Sequence, residues 1–506
     1  MKLPQTLGAL KASGRKVVPV KDEIRTNLIA KLKKSETLFP GIIGYEKTVI
    51  PSIVNALLAR HDLLLLGLRG QAKSRIVRQL PSLLDEFIPI IKGSEINDNP
   101  FAPVSKFGRD AVSEHGDDVE IEWLHRDQRF GEKLATPDVS IADLIGDIDP
   151  IKAATQRLHY AHEGAIHYGI IPRTNRGIFA INELPDLQPR IQVGLFNIME
   201  EKDIQIRGFN IRIPLDVMIV FTANPEDYTN RGNLITPLKD RIDSQILTHY
   251  PSSIADAIAI TAQESWIRRD GREVLLPTFL NEIVEQIAFE ARRSEYVDQR
   301  SGVSARLTIA AMENLVSNAE RRAITFSESR VVPRICDLQS ALPGMTGKVE
   351  LVFEGEQEGS TKVAKALVGK AVRSIFTKYF PDPLQRKPKE RAETQRGVDT
   401  SAYGPIVKWF ESGNRIEISD EMPFAAYAKE LERIPGLREV VIKHMKEVEL
   451  DGNLRALAME FVLDALHQCS KIAKDEIGNA TSYKDMVGSI FNRNKGEADE
   501  ELQMDN

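Results

Sequence analysis

Residues 62–76 read DLLLLGLRGQAKSRI. Four consecutive leucines, opened by Asp62 and closed by Gly67, make a short apolar run of the kind that forms a strand buried on both faces. A turn of small residues follows, carrying Lys73 and Ser74 ahead of a helical pattern that begins near Ile76. Gly67, Gly70, Gln71, Ala72, Lys73 and Ser74 have the make-up of a loop that cradles phosphates. Small residues let backbone N–H groups wrap an anion, the lysine meets the outer phosphates, and the hydroxyl meets Mg²⁺. Where such loops usually have glycine before the lysine, this chain has Ala72, whose methyl group disfavours a positive φ. Taken alone, the segment also fits an ordinary strand-to-helix turn containing Lys and Ser.

Two further runs, 177–182 and 215–223, have the same short, apolar character and end in polar residues. In a parallel sheet, chemistry collects at the carboxyl ends of strands. The first run presents Asn182 and Glu183 there. Glu183 is the candidate general base, able to orient a water attacking bound ATP and to accept its proton. Asn182 stands where a nucleotide hydrolase places an aspartate near Mg²⁺. It brings an oxygen without charge, forfeiting roughly 4 kcal/mol or more of attraction to the metal. A polar strand end with no metal role is the plainer alternative. The second run ends at Asn224, level with Glu183 if the strands are neighbours, and so a candidate for positioning the water. An Asn before Pro225 is also a common turn initiator.

At 506 residues the chain is too long for one continuous core, so several domains are expected. Hydrophobic residues at 42% and charged residues at 28% fit globular domains rather than a disordered or membrane chain. A net charge of -6 supplies no positive field for nucleic acid. The two cysteines, Cys336 and Cys469, are far apart and have no zinc-site spacing around them, which fits a reducing, cytoplasmic setting. No apolar run approaches the roughly 20 residues of a membrane span. The first residues, MKLPQTLGALKASGRKVVPV, lack the apolar core of a secretory signal.

Residues 143–187, DLIGDIDPIKAATQRLHYAHEGAIHYGIIPRTNRGIFAINELPDL, carry a family resemblance. They are similar in order and spacing to the ATPase subunit of magnesium chelatase and its MoxR-type relatives, within the AAA+ class. The family's GSLD-like turn, ARANRG-like stretch and acidic strand match residues 146–149, residues 172–177, and Asn182 with Glu183. FPGIIGYEK (39–47) resembles the family's FxxIVGQE motif, EEKDIQIRGFNIRIPLD (200–216) resembles the hairpin before the third strand, and TPLKDRID (236–243) resembles LLDRF. The resemblance covers roughly 39–250.

It implies a P-loop AAA+ fold, a parallel α/β sheet flanked by helices, followed by an α-helical lid and a further helical C-terminal region. It also implies ATP and Mg²⁺ as cofactors, a homo-oligomeric ring, and a separate partner protein with a von Willebrand A-type domain, since no DxSxS segment occurs here. No membrane or nucleic-acid partner is implied. Arg241 matches the arginine finger that completes a neighbour's site, Arg173 and Arg176 match a second intersubunit basic site, and Arg306, within SGVSARLTIAAM (301–312), matches the lid arginine. Each lone arginine is otherwise a solvated surface residue.

The expected divisions are an N-terminal extension (1–38), the nucleotide-binding domain (39–250), a helical lid (251–345), a strand-plus-helix extension (346–385), a linker (386–400) and a helical C-terminal domain with an acidic tail (401–506). Residues 93–147 read as an insertion, and Val349, Leu351 and Phe353 alternate like one strand. The expected function is an ATPase that remodels, or loads metal into, a protein target. The alternatives are a nucleotide-gated assembly protein that hydrolyses poorly, and an AAA+ transcriptional activator, which the absence of a GAFTGA-like loop disfavours.

Overall fold

The computed structural model describes residues 3–155, 163–206, 212–225, 234–269, 271–384, 402–419, 421–477 and 480–486. The expected linker (386–400) and the acidic tail (496–506) lie outside them. The chain forms two compact units, Met1–Tyr250 and Pro251–Asn506.

The first unit is built on five parallel strands. In chain order they are β1 (Leu63–Leu66), β2 (Phe130–Leu134), β3 (Gly177–Asn182), β4 (Val217–Ala223) and β5 (Ser244–Leu247), and their spatial order is β5-β1-β4-β3-β2. The register places Leu66 opposite Ala223, and Phe221 opposite Ile181. Successive side chains on a strand point to opposite faces, so each apolar run divides between two cores. Leu64, Phe179, Ile181, Ile219 and Phe221 enter one; Leu63, Leu65, Ile178, Ala180, Met218 and Val220 enter the other. That requirement for two covered faces explains why β1, β3 and β4 are continuously apolar in sequence.

Three helices supply the second face: α1 (Val20–Lys33), α2 (Val49–Leu58) and α3 (Lys73–Val77). α1 lies within the expected N-terminal extension, yet Val20, Ile24 and Leu28 belong to the sheet's core. Its Glu23 pairs with Arg129, at the start of β2, through two 2.7 Å bonds between almost fully buried side chains. A bidentate pair of this kind offsets the desolvation of its charges only while both partners stay in place. α3 is five residues long and starts at Lys73 rather than near Ile76. A 3-10 turn at Leu80–Leu83 follows, with Pro81 unable to donate the next helical hydrogen bond.

The stretch expected as an insertion forms part of the sheet. It contains β2, and Ile121–His125 pairs antiparallel with Phe87–Ile91. β2 reads FGEKL because it is an edge strand, for which a continuous apolar run is unnecessary. Asp203–Gln205 and Arg212–Pro214 pair antiparallel, as the likeness to a hairpin before β4 requires; residues 207–211 lie outside the described set.

The second unit is largely helical. α4 (Thr278–Ala291), α5 (Arg306–Thr325), α6 (Ser360–Tyr379) and α7 (Gly452–Gln468) share one hydrophobic core, in which Phe279 stacks on Phe461 with ring centroids 5.0 Å apart. Segments 251–345, 346–385 and 401–506 all contribute to it. Ile416–Ser419, Ala480–Lys484 and Ala473–Ile477 add a three-stranded antiparallel sheet. The strand expected near Val349 is a single bridge between Leu351 and Val297, after which Phe353–Glu358 is helical. Val349 and Leu351 pack against the core while Phe353 is exposed, so their alternation does not reflect a pleated strand.

Candidate nucleotide site

The carboxyl ends of β1, β4 and β3 are adjacent, and each delivers polar residues to one place. From β1 comes the loop 67–74. Gly70 sits at φ 74° and Ala72 at φ 56°, both in the left-handed region. Glycine tolerates that conformation, whereas alanine holds it against a penalty of about 1 kcal/mol. At Gly67 a side chain is excluded by crowding: a Cβ would lie 1.9 Å from Thr248 Oγ1 and 2.2 Å from Gln71 Oε1.

The loop is tied from outside. Thr248 Oγ1 donates to Gln71 Oε1 at 2.7 Å, and Tyr250 donates its hydroxyl to the Arg69 carbonyl at 2.9 Å. The Tyr45 hydroxyl lies 3.0 Å from the Gln71 carbonyl oxygen and 2.7 Å from that of His249. Burial pushes the Tyr45 pKa up to about 12, so the hydroxyl remains a donor at neutral pH. Sequence reading missed these ties. Tyr45 within the motif 39–47 and the residues just after β5 were their only signal, and the partners are remote in sequence.

Lys73 is buried, and its ammonium donates to the carbonyls of Gly67 and Leu68 and, at 2.7 Å, to Asn224 Oδ1. Asn224 donates through Nδ2 to Glu183 Oε2 at 2.7 Å. This pair of contacts fixes the orientation of the amide, with oxygen toward the cation and nitrogen toward the carboxylate. Glu183 is left-handed at φ 55°, and its N–H donates to Thr222 Oγ1 at 3.2 Å. Asn182 accepts from Thr222 Oγ1 at 3.1 Å and donates to Glu132 Oε1, on β2, at 2.6 Å. Ser74 is exposed, in the first turn of α3.

The donor set is chemically suited to a metal-bound nucleotide. It joins a fixed ammonium for phosphate oxygens to a hydroxyl, an amide oxygen and a carboxylate, the oxygen ligands a hard cation such as Mg²⁺ prefers. Gly67, Gly70, Gln71, Ala72, Lys73, Ser74, Asn182, Glu183 and Asn224 are thereby gathered around the ends of three neighbouring strands.

The three candidate arginines of the first unit are placed elsewhere in it. Arg241 precedes β5, and Arg173 and Arg176 precede β3, so all three lie toward the amino ends of strands whose carboxyl ends hold the loop. Even four-residue β5 separates its ends by about 13 Å. Arg241 donates to Glu200 Oε2 at 2.8 Å and to the Pro237 carbonyl at 2.8 Å, with its guanidinium 4.7 Å from the centre of the Phe196 ring. Arg173 is exposed, 3.4 Å from His167 Nε2. Arg176 turns inward, donating to the Pro89 carbonyl at 2.7 Å, and burial beside Arg129 pulls its pKa down to about 10. That inward role differs from the expected intersubunit one: 6% exposure leaves little of it for a neighbour. Arg306 opens α5 of the second unit and is exposed.

A model of the sigma-54 interaction domain matches residues 159–246, which contain β3, β4 and most of β5 but not the loop 67–74. No curated protein matches the chain. Among solved structures, NtrX from Brucella abortus is 13% identical, over 57% of this chain and 54% of its own, with a TM-score of 0.32. The present chain therefore spans about half of NtrX, which has also been solved with ATP and with ADP. A model of the complex between subunits BchI and BchD of magnesium chelatase matches at 18% identity, over 63% of this chain and 98% of that one, with a TM-score of 0.33. A putative ATPase from Cytophaga hutchinsonii matches at 15% identity, over 71% and 97%, with a TM-score of 0.28. At such identities and TM-scores these likenesses decide nothing about the present chain. The family match takes in less than a fifth of the chain, all of it within the first unit and its five-stranded parallel sheet with flanking helices.

Proposed function

We propose that the protein is a Mg²⁺-dependent ATPase working as a homo-oligomeric ring, coupling hydrolysis to remodelling of, or metal loading into, a protein target. The observation that carries this reading is the unbroken chain Lys73–Asn224–Glu183, which links a phosphate-binding cation to a base through one amide. Lys73 and the loop N–H groups bind and orient the nucleotide. Asn224 and Glu183 hold the water, and Glu183 takes its proton. Ser74 and Asn182 would hold Mg²⁺, which offsets charge on the phosphates. Arg241, and with it Arg173, acts on the neighbouring subunit's nucleotide. Arg306 belongs to the lid's response to it. A separate chain with a von Willebrand A-type domain is the proposed partner, by likeness to the chelatase and MoxR group, and the proposed setting is cytoplasmic. Among the described residues no helix is long and apolar enough to cross a membrane.

The test is Lys73→Ala, with affinity read by a fluorescent ATP analogue. Loss of binding is expected, because the outer phosphates lose their buried cation; unchanged affinity removes the loop from the site.

Three observations favour two other readings. Ala72 at a positive φ and Asn182 bonded to a carboxylate support a nucleotide-gated assembly protein with weak hydrolysis. Phosphate release in a single turnover separates this from the first reading. The match at 159–246 favours a transcriptional activator. Tight binding of duplex DNA at physiological salt would support that, against a net charge of -6.

A further inference from the structure

The side chain of Glu132 comes from the edge strand, two residues below Asn182 in register, since Glu132 lies opposite Ala180. Its Oε1 accepts from Asn182 Nδ2 at 2.6 Å and its Oε2 accepts from Arg78 Nε at 2.9 Å. Asn182 Oδ1 is turned the other way, toward the Thr222 hydroxyl. Arg78 stands four residues after Ser74, its N–H bonded to the Ser74 carbonyl at 3.0 Å, so the two side chains share one side of that turn. Ser74, Arg78, Glu132 and Asn182 thus border the gap between α3 and the ends of β2 and β3. The Arg78 side chain is 65% exposed and Glu132 21%. Solvent therefore screens the Arg78 end of the pair, while the carboxylate end is mostly covered.

We propose that Glu132 supplies the negative charge of the metal side of this site, displaced one strand outward, with Asn182 as its neutral partner. The inference rests on the nucleotide-site reading above. Asparagine at 182 is then a requirement. An aspartate there would set two carboxylate oxygens about 2.6 Å apart, where like charges repel strongly. Exchanging the two roles, by Glu132→Gln together with Asn182→Asp, keeps the total charge of the pair unchanged. Glu132 is accordingly a positioning residue, acting through the Asn182 amide and through its field at the cation.

The test compares Glu132→Gln, Asn182→Asp and the double exchange Glu132→Gln/Asn182→Asp in the full chain. Fluorescent ATP affinity is measured with Mg²⁺ and with a chelator, and the ratio of the two is taken for each protein, alongside its melting temperature. Glu132→Gln should reduce that ratio by about tenfold or more, since a unit charge near the divalent cation is lost. Asn182→Asp alone should lower the melting temperature, and the double exchange should restore both quantities. An unchanged ratio in Glu132→Gln overturns the proposal. So does a double exchange that stays unfolded, or that binds ATP without recovering the ratio, since Glu132 is then only a clamp on the edge strand. Wild-type protein that binds no ATP at all would instead remove the nucleotide-site reading itself.

Discussion

Asn224 Nδ2 donates to Glu183 Oε2 at 2.7 Å, while Oδ1 of the same amide accepts from Lys73 Nζ at 2.7 Å. The distance between the ammonium proposed to bind phosphate and the carboxylate proposed as the base is therefore set by one side chain at the end of β4. Asn224→Ala should leave ATP affinity within a few-fold, because Lys73 keeps the loop carbonyls. Turnover should fall by about 10²-fold or more, the range for a positioned acid–base group. Single-turnover phosphate release measures it; a rate within about threefold of wild type would show that Glu183 needs no help from Asn224.

Ala72 is a second point of control. At φ 56° its methyl group is strained, and it is also half-buried against the core under the sheet. Ala72→Gly removes the strain and a little apolar burial, so the net gain for the first unit should be up to about 1 kcal/mol. Urea unfolding reads this as a shift of midpoint at constant slope. A loss of stability would mean that packing of the methyl outweighs the backbone term.

The sequence was readable where burial left one solution. β1, β3 and β4 must be apolar on both faces, and their ends then locate Lys73, Glu183 and Asn224 without further knowledge. β2 was not readable, because an edge strand tolerates Glu132 and Lys133, and Glu132 gains meaning only from its register beside β3. Arg176 shows a different limit. A motif position gives residue type but not direction, and here the guanidinium satisfies the Pro89 carbonyl inside the fold. Val349, Leu351 and Phe353 show a third: an alternation of three residues fits a pleated strand and also fits a bend lying on a core.

The second unit has a pH-sensitive position in Glu285. Burial raises its carboxyl pKa above the usual 4.5, against the opposing pull of the Thr261 and Thr308 hydroxyls, and its Oε1 has no hydrogen-bond partner among the described residues. The folded chain holds this proton more tightly than the unfolded chain does. The contribution is therefore complete below the unfolded value and is lost as pH rises through the raised folded one. Glu285→Gln removes the ionisation at nearly constant shape. Across a series of urea titrations from about pH 4 to pH 7, the variant's stability should decline less with rising pH than that of the wild type. Parallel declines would assign the pH dependence to other groups.

Arg241 lies at the amino end of β5, away from the loop its own chain carries, and is engaged by Glu200 and by the Phe196 ring. If it serves a neighbouring subunit in a ring, it must exchange Glu200 for that subunit's phosphates, and binding should separate from catalysis. Arg241→Ala should leave ATP affinity within a few-fold and lower turnover by about 10³-fold, the low end for an arginine finger. Glu200→Gln, which weakens the internal competitor, should not reduce turnover. Mixing decides the matter. Arg241→Ala protein and Glu183→Gln protein are each expected to be inactive. Combined, they should regain measurable activity, because an intact Glu183 on one chain can face an intact Arg241 on the next. Mixed rings demonstrated by crosslinking, yet without activity, would show that Arg241 works within its own chain or not at all.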